Sequence, residues 1–149
     1  MRSTRRQLHN RIVSLPGQGK RLPLVGLLKV PSATTGGSFE LIEYHGPVQP
    51  PPHVHREREE AFYIVQGTFT FLLGQEEELQ APAGSLVLVP RGVTHSFRAP
   101  KDGRALLLIT PAGLEDFFEE LGSGLEAGKT PTAMRSALAG RYDSHPVGG

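Results

Sequence analysis

The chain has 149 residues, with 16 Lys plus Arg against 15 Asp plus Glu and a net charge of +1. That length is one domain, and the charge balance excludes a dominant attraction to nucleic acid or an anionic membrane. Cysteine is absent, which excludes disulfides, thiolate chemistry and Cys-based zinc sites.

Residues 1–11 form a basic arm carrying Arg2, Arg5, Arg6 and Arg11. Arg11, Gln18, Lys20 and Arg21 interrupt every apolar run that a signal peptide would need, and no stretch approaches a membrane span. The expectation is a cytoplasmic protein whose arm is a loose tail or a strand lent to a partner subunit. Residues 24–30 read as a short strand among proline- and glycine-rich loop and edge, and residues 1–38 as an arm with edge strands.

Residues 39–110 read as the barrel core. Phe39 to His45 forms a strand, and the Val48 to Pro52 segment is proline-rich and extended. Ala61 to Val65 and Thr68 to Leu73 flank Gln66-Gly67, which predicts a tight hairpin. Phe69, Phe71 and Leu73 alternate with Thr68, Thr70 and Leu72, the pattern of a half-buried strand. Residues 79–81, 85–89, 94–99 and 104–110 add short strands separated by Gly and Pro turns. Many short strands with such turns predict an all-β fold, a double-sheet barrel. In residues 111–149 the pattern becomes helical. Leu114, Phe117, Phe118 and Leu121 make one stripe with Gly122 as its stop. Thr130-Pro131 opens a second helix that carries Met134, Ala137 and Leu138. The two helices are expected to close one end or the outer face of the barrel, with Phe117 and Phe118 as core.

His53-Val54-His55, Glu60 and His95 make a metal-ligand set. Side chains in a strand alternate faces, so His53 and His55 point the same way, and other strands can supply Glu60 and His95. Glu57 and Glu59 read as solvated charges, with Glu59 the substitute ligand if the register slips by one. His9, His45 and His145 lack partners in sequence. Phe62 lies two residues after Glu60 and Phe97 two after His95, so both are expected to face the metal side as substrate-binding walls.

These residues resemble the cupins. The first cupin motif is matched by Gly46, His53-x-His55, Glu60 and Gly67, with six residues between the last two. The second is matched by Gly84, Pro90, Gly92 and His95. Six residues rather than the usual five separate Gly46 from His53, and Ala99 stands where an asparagine often ends the second motif. Neither departure touches a ligand. The helix with Phe117-Phe118 and the Ala139-Gly140-Arg141-Tyr142 tail are similar to small quercetin dioxygenase-like cupins.

The resemblance implies a double-stranded β-helix, or jelly roll, with one or two short C-terminal helices. It implies one divalent transition metal (Fe, Mn, Ni, Co, Cu or Zn) held by His53, His55, Glu60 and His95. It further implies a dioxygenase that chelates an enediol, β-diketone or flavonol-like molecule, with Glu60 taking the substrate's hydroxyl proton. Two alternatives share the site: non-oxidative isomerase, cyclase or lyase chemistry, and small-molecule binding without turnover. The expected partners are a small-molecule substrate and a second copy of the chain, with neither nucleic acid nor membrane.

Overall fold

The computed structural model describes residues 13–147; the basic arm and His9 lie outside them. Strands β1 (Lys20–Leu22), β2 (Gly26–Val30), β3 (Glu40–His45), β4 (His53–Val54), β5 (Glu59–Gln66) and β6 (Thr68–Leu73) are followed by five more. These are β7 (Leu79–Pro82), β8 (Leu86–Val89), β9 (His95–Arg98), β10 (Arg104–Thr110) and β11 (His145–Pro146). They pair antiparallel in two sheets, β1-β2-β3-β10-β5-β8 and β11-β4-β9-β6-β7. This is the expected jelly roll.

Alternation builds the core. Ile42 and Tyr44 on β3, Phe62 and Ile64 on β5, Phe69 and Phe71 on β6, and Leu107 and Ile109 on β10 point inward and are buried. The residues between them face outward, as the two-residue period of a strand requires. The rings interlock edge to face: Phe62 lies 5.2 Å from Phe71 and 5.1 Å from Phe97 between centroids.

Two expectations need correction. Gln66-Gly67 does not close a hairpin: β5 pairs with β10 and β8, while β6 pairs with β7 and β9. The chain instead crosses from one sheet to the other here. Gly67 takes φ 79°, and a Cβ there would press on Pro100 and Gly103 at 3.0 and 3.2 Å, so the corner admits only glycine. A short apolar strand pattern does not say which sheet a strand joins. Residues 20–22 form β1 against β2.

Gly122 is the second correction. Helix α1 (Glu115–Glu126) runs through it and ends four residues later. Gly122 and Gly124 are buried because the helix packs closely there: a Cβ on the first would overlap Pro23, and one on the second Met134. Gly122→Ala gains about 1 kcal/mol of helix propensity, but overpacking against the Pro23 ring costs about 1–3 kcal/mol. The variant is therefore expected to melt at a lower temperature than the parent. A higher midpoint would mean that α1 is not seated on Pro23.

Helix α2 (Pro131–Tyr142) starts as expected. The Thr130 hydroxyl accepts a hydrogen bond from the Ala133 N–H at 3.2 Å, and Pro131 occupies the first turn. Met134 and Leu138 are buried, whereas Ala137 faces outward. No helix among the described residues is long and apolar enough to cross a membrane.

The helices close the barrel end that holds the histidines. The buried Glu40 carboxylate on β3 accepts hydrogen bonds from the Gly113 and Leu114 N–H groups at 3.2 and 2.7 Å, fixing the start of α1. Beyond α2 the chain returns as β11 to pair with β4, placing His145 opposite Val54 and Pro146 opposite His53.

Candidate metal centre

Three prolines, Pro50 to Pro52, hold the approach to β4 extended. His53 on β4 pairs directly with His95 on β9, which sets the two rings 4.2 Å apart between centroids. His55 follows on the same face, its ring 5.0 Å from His53 and 5.2 Å from His95. Glu60 enters from β5 in the other sheet. One potential ligand atom from each of the four lies within 4.8 Å of every other, and all four residues are buried.

Hydrogen bonds fix the tautomers. Nδ1–H of His53 donates to the Pro51 carbonyl at 2.7 Å, that of His55 to the Asp143 carbonyl at 2.7 Å, and that of His95 to the Val93 carbonyl at 3.0 Å. Each ring therefore turns a bare Nε2 lone pair inward, the arrangement metal-binding histidines adopt. Nε2 of His55 and of His95 make no well-formed hydrogen bond among the described residues. Both face Glu60 Oε1, that of His95 at 3.5 Å.

The electrostatics of His53 and Glu60 point the same way. Burial, reinforced by His95, pushes the His53 imidazole down to about 3, so it is neutral. For Glu60, burial alone would raise the carboxyl, but His55 and His95 outweigh it and hold the group ionised, well below its ordinary range. For His55, burial favours the neutral ring, but the Glu60 charge outweighs it and raises the group. A buried carboxylate among imidazoles needs a positive charge. A divalent cation supplies one and uses every inward lone pair. Ligand atoms about 2.0–2.2 Å from one ion lie at most about 4.4 Å apart, so the cluster closes on a single ion with small side-chain shifts. Three imidazole nitrogens and one carboxylate suit a divalent transition metal.

Beside the cluster is a cavity with about 30 Å³ in which the centre of a water molecule can sit. Tyr44, Phe97, Phe117, Phe118 and Arg135 are among its walls, together with His53, His55 and Glu60. Of the two expected substrate-binding aromatics, Phe97 lines this cavity. Phe62 does not: it is fully buried below Phe97, among the rings of the core.

The other candidates lie elsewhere. Glu59 accepts from Arg91 at 3.1 Å on the surface, and His45 pairs with Glu43 at 2.7 Å. The Glu57 backbone N–H donates to Asp143, and His145 contacts the same carboxylate at 3.1 Å.

Sequence reasoning passed over three residues. Asp143 clamps the His-x-His segment: its carboxylate accepts from the Arg56 and Glu57 N–H groups at 2.9 and 2.8 Å while its carbonyl holds His55. Tyr44 and Arg135 both line the cavity. Arg135, Leu138 and Tyr142 stand at i, i+3 and i+7, so an arginine on the helix's apolar stripe was the available signal.

Residues 41–111 match the cupin domain family model, which spans both motifs. No curated protein matches the chain in sequence. Among solved structures the chain is similar to KdgF from Halomonas sp., with 19% identity over 57% of this chain and 76% of that one and a TM-score of 0.49. It is also similar to the Streptomyces nucleoside dehydratase Pac13, with 19% identity over 51% of this chain and 62% of that one and a TM-score of 0.46. A cupin-2 domain protein from Shewanella frigidimarina shows 26% identity over 50% of this chain and 69% of that one, with a TM-score of 0.40. With both cupin motifs in the matched segment, two antiparallel sheets around the core and the His-His-Glu-His cluster at one end, residues 41–111 form a cupin domain.

Proposed function

We propose that the protein is a metal-dependent enzyme in which His53, His55, Glu60 and His95 hold one divalent transition metal, and that it acts as a dioxygenase on a small enediol or β-diketone. The observation that carries this reading is the set of inward Nε2 atoms, each fixed by a backbone carbonyl behind it, converging on one buried carboxylate. When bound, the ion supplies Lewis acidity and, if redox-active, dioxygen chemistry. Glu60, held ionised, is the group that accepts the substrate's hydroxyl proton. Phe97, Phe117 and Phe118 keep bulk water from that transfer.

Cavity size narrows the substrate. About 30 Å³ holds roughly two water molecules, so a three-ring flavonol enters only if α1 moves outward, whereas a molecule of a few heavy atoms needs far less room. One feature favours a second, non-oxidative reading. Burial raises the Tyr44 hydroxyl above its ordinary value and keeps it protonated, so Tyr44 can give a proton where Glu60 takes one, as lyase or isomerase chemistry requires.

Oxygen uptake separates the readings. Protein loaded with Fe(II), Mn(II) or Ni(II) is expected to consume dioxygen in step with loss of a small diketone or enediol. Equal substrate loss under nitrogen would replace the dioxygenase with the acid–base enzyme, and binding without turnover under either gas would reject both.

A further inference from the structure

The cavity contains a charge that the proposed chemistry does not use. Arg135 is partly buried on α2 and lines the cavity with His53, His55, Glu60 and Tyr44. Among the described residues no carboxylate pairs with it and no hydrogen bond engages its guanidinium. Its one specific contact is the Phe117 ring, whose centroid lies 5.8 Å from Cζ. Among the described residues, Arg58 donates to the Pro111 and Ala112 carbonyls, Arg91 meets Glu59, Arg98 meets Glu78, Arg104 meets Glu43 and Arg141 meets Glu120, while Arg21 and Arg56, which also lack a side-chain partner, are exposed to solvent. Burial lowers the Arg135 guanidinium from its ordinary value, the mark of a cation held partly out of water without an anion. Among the described residues, Glu60 is the only carboxylate in the wall. A divalent ion together with Arg135 therefore leaves the cavity net positive.

We propose that Arg135 is the receptor for a carboxylate on the substrate, so that the site takes small oxo- or hydroxy-carboxylates whose second oxygen reaches the metal. A guanidinium presents paired N–H donors that match the two oxygens of a carboxylate. Held there, the acid is oriented with its carbonyl, enol or hydroxyl oxygen toward Glu60 and the histidines. The small cavity favours the shortest of these acids, which need the least outward movement of α1. This inference rests on the metal-site reading above and adds the substrate class to it.

The test is calorimetric binding of pyruvate, lactate and acetoacetate to the metal-loaded protein, each compared with its neutral amide. In the parent at least one acid is expected to bind tenfold or more tightly than its amide. Arg135→Gln is expected to abolish that preference and Arg135→Lys to restore part of it, with thermal midpoints near the parent's. If no acid is preferred, or if the preference survives in Arg135→Gln, the carboxylate is not held by Arg135 and the proposal falls. Elemental analysis of the same samples separates the two claims. Stoichiometric metal without carboxylate preference overturns the receptor alone, whereas protein that never takes up metal overturns the site reading and the receptor with it.

Discussion

Replacing His53 and His55 together by alanine is expected to take the protein from about one bound metal ion per chain to less than a tenth, because half of a four-ligand set is removed. The parent is expected to gain stability from metal in proportion to its affinity, about 4 kcal/mol at a thousandfold excess over Kd. For a domain of this length that corresponds to roughly 10 °C in melting temperature. Added Mn(II), Ni(II) or Zn(II) should therefore raise the parent's midpoint and leave the double variant unmoved. Elemental analysis after purification without chelator, with thermal melts in the presence of each metal and of chelator, gives both quantities. Equal metal content in parent and variant would remove the site, because the remaining pair, Glu60 and His95, is no closed coordination shell.

The second large effect lies below the site. Phe62 is fully buried and its ring meets those of Phe71 and Phe97. Phe62→Ala removes most of a large side chain from a place where three interlocked rings cannot collapse into the gap. The expected loss is about 3–5 kcal/mol, a large fraction of the roughly 5–15 kcal/mol that holds a domain folded. Urea titration is expected to show a lower midpoint with an unchanged slope. A loss below about 1 kcal/mol would mean that the ring contributes little to the core. The folded fraction of the variant should still bind metal, because Phe62 supplies neither a ligand nor a hydrogen bond to one.

The legibility of the chain divided along a physical line. Strands, turns and the Thr130 cap depend on neighbours a few residues away, and the sequence carries those signals directly. The four ligand residues were legible because strand parity aligns His53 with His55, and because the glycines and prolines around Glu60 and His95 mark where each strand begins. Sheet membership was not legible. Thr68 to Leu73 has the alternation of a hairpin arm, but its hairpin partner is β7, after the turn at residues 74–78, rather than β5, and its other neighbour, β9, is set by contacts more distant in sequence. Gly122 illustrates the same limit: one residue type serves both as helix stop and as contact point, and only Pro23 on a remote segment decides. Arg135 and Asp143 are defined by what they face rather than by what precedes them, so the charge in the cavity and the clamp behind His55 emerged only in three dimensions.

The clamp has a consequence for biogenesis. The carbonyl that orients His55 belongs to a residue 88 positions later, and β11, which borders β4, follows that residue immediately. During translation the barrel strands emerge well before this segment and can begin to pair as they appear. The imidazole that needs Asp143 stays unset until ribosomal synthesis has passed through α2. If the cluster takes an ion, firm capture waits until residue 143 has been made, and a nascent chain that stops before α2 is expected to hold metal more weakly than one that includes Asp143.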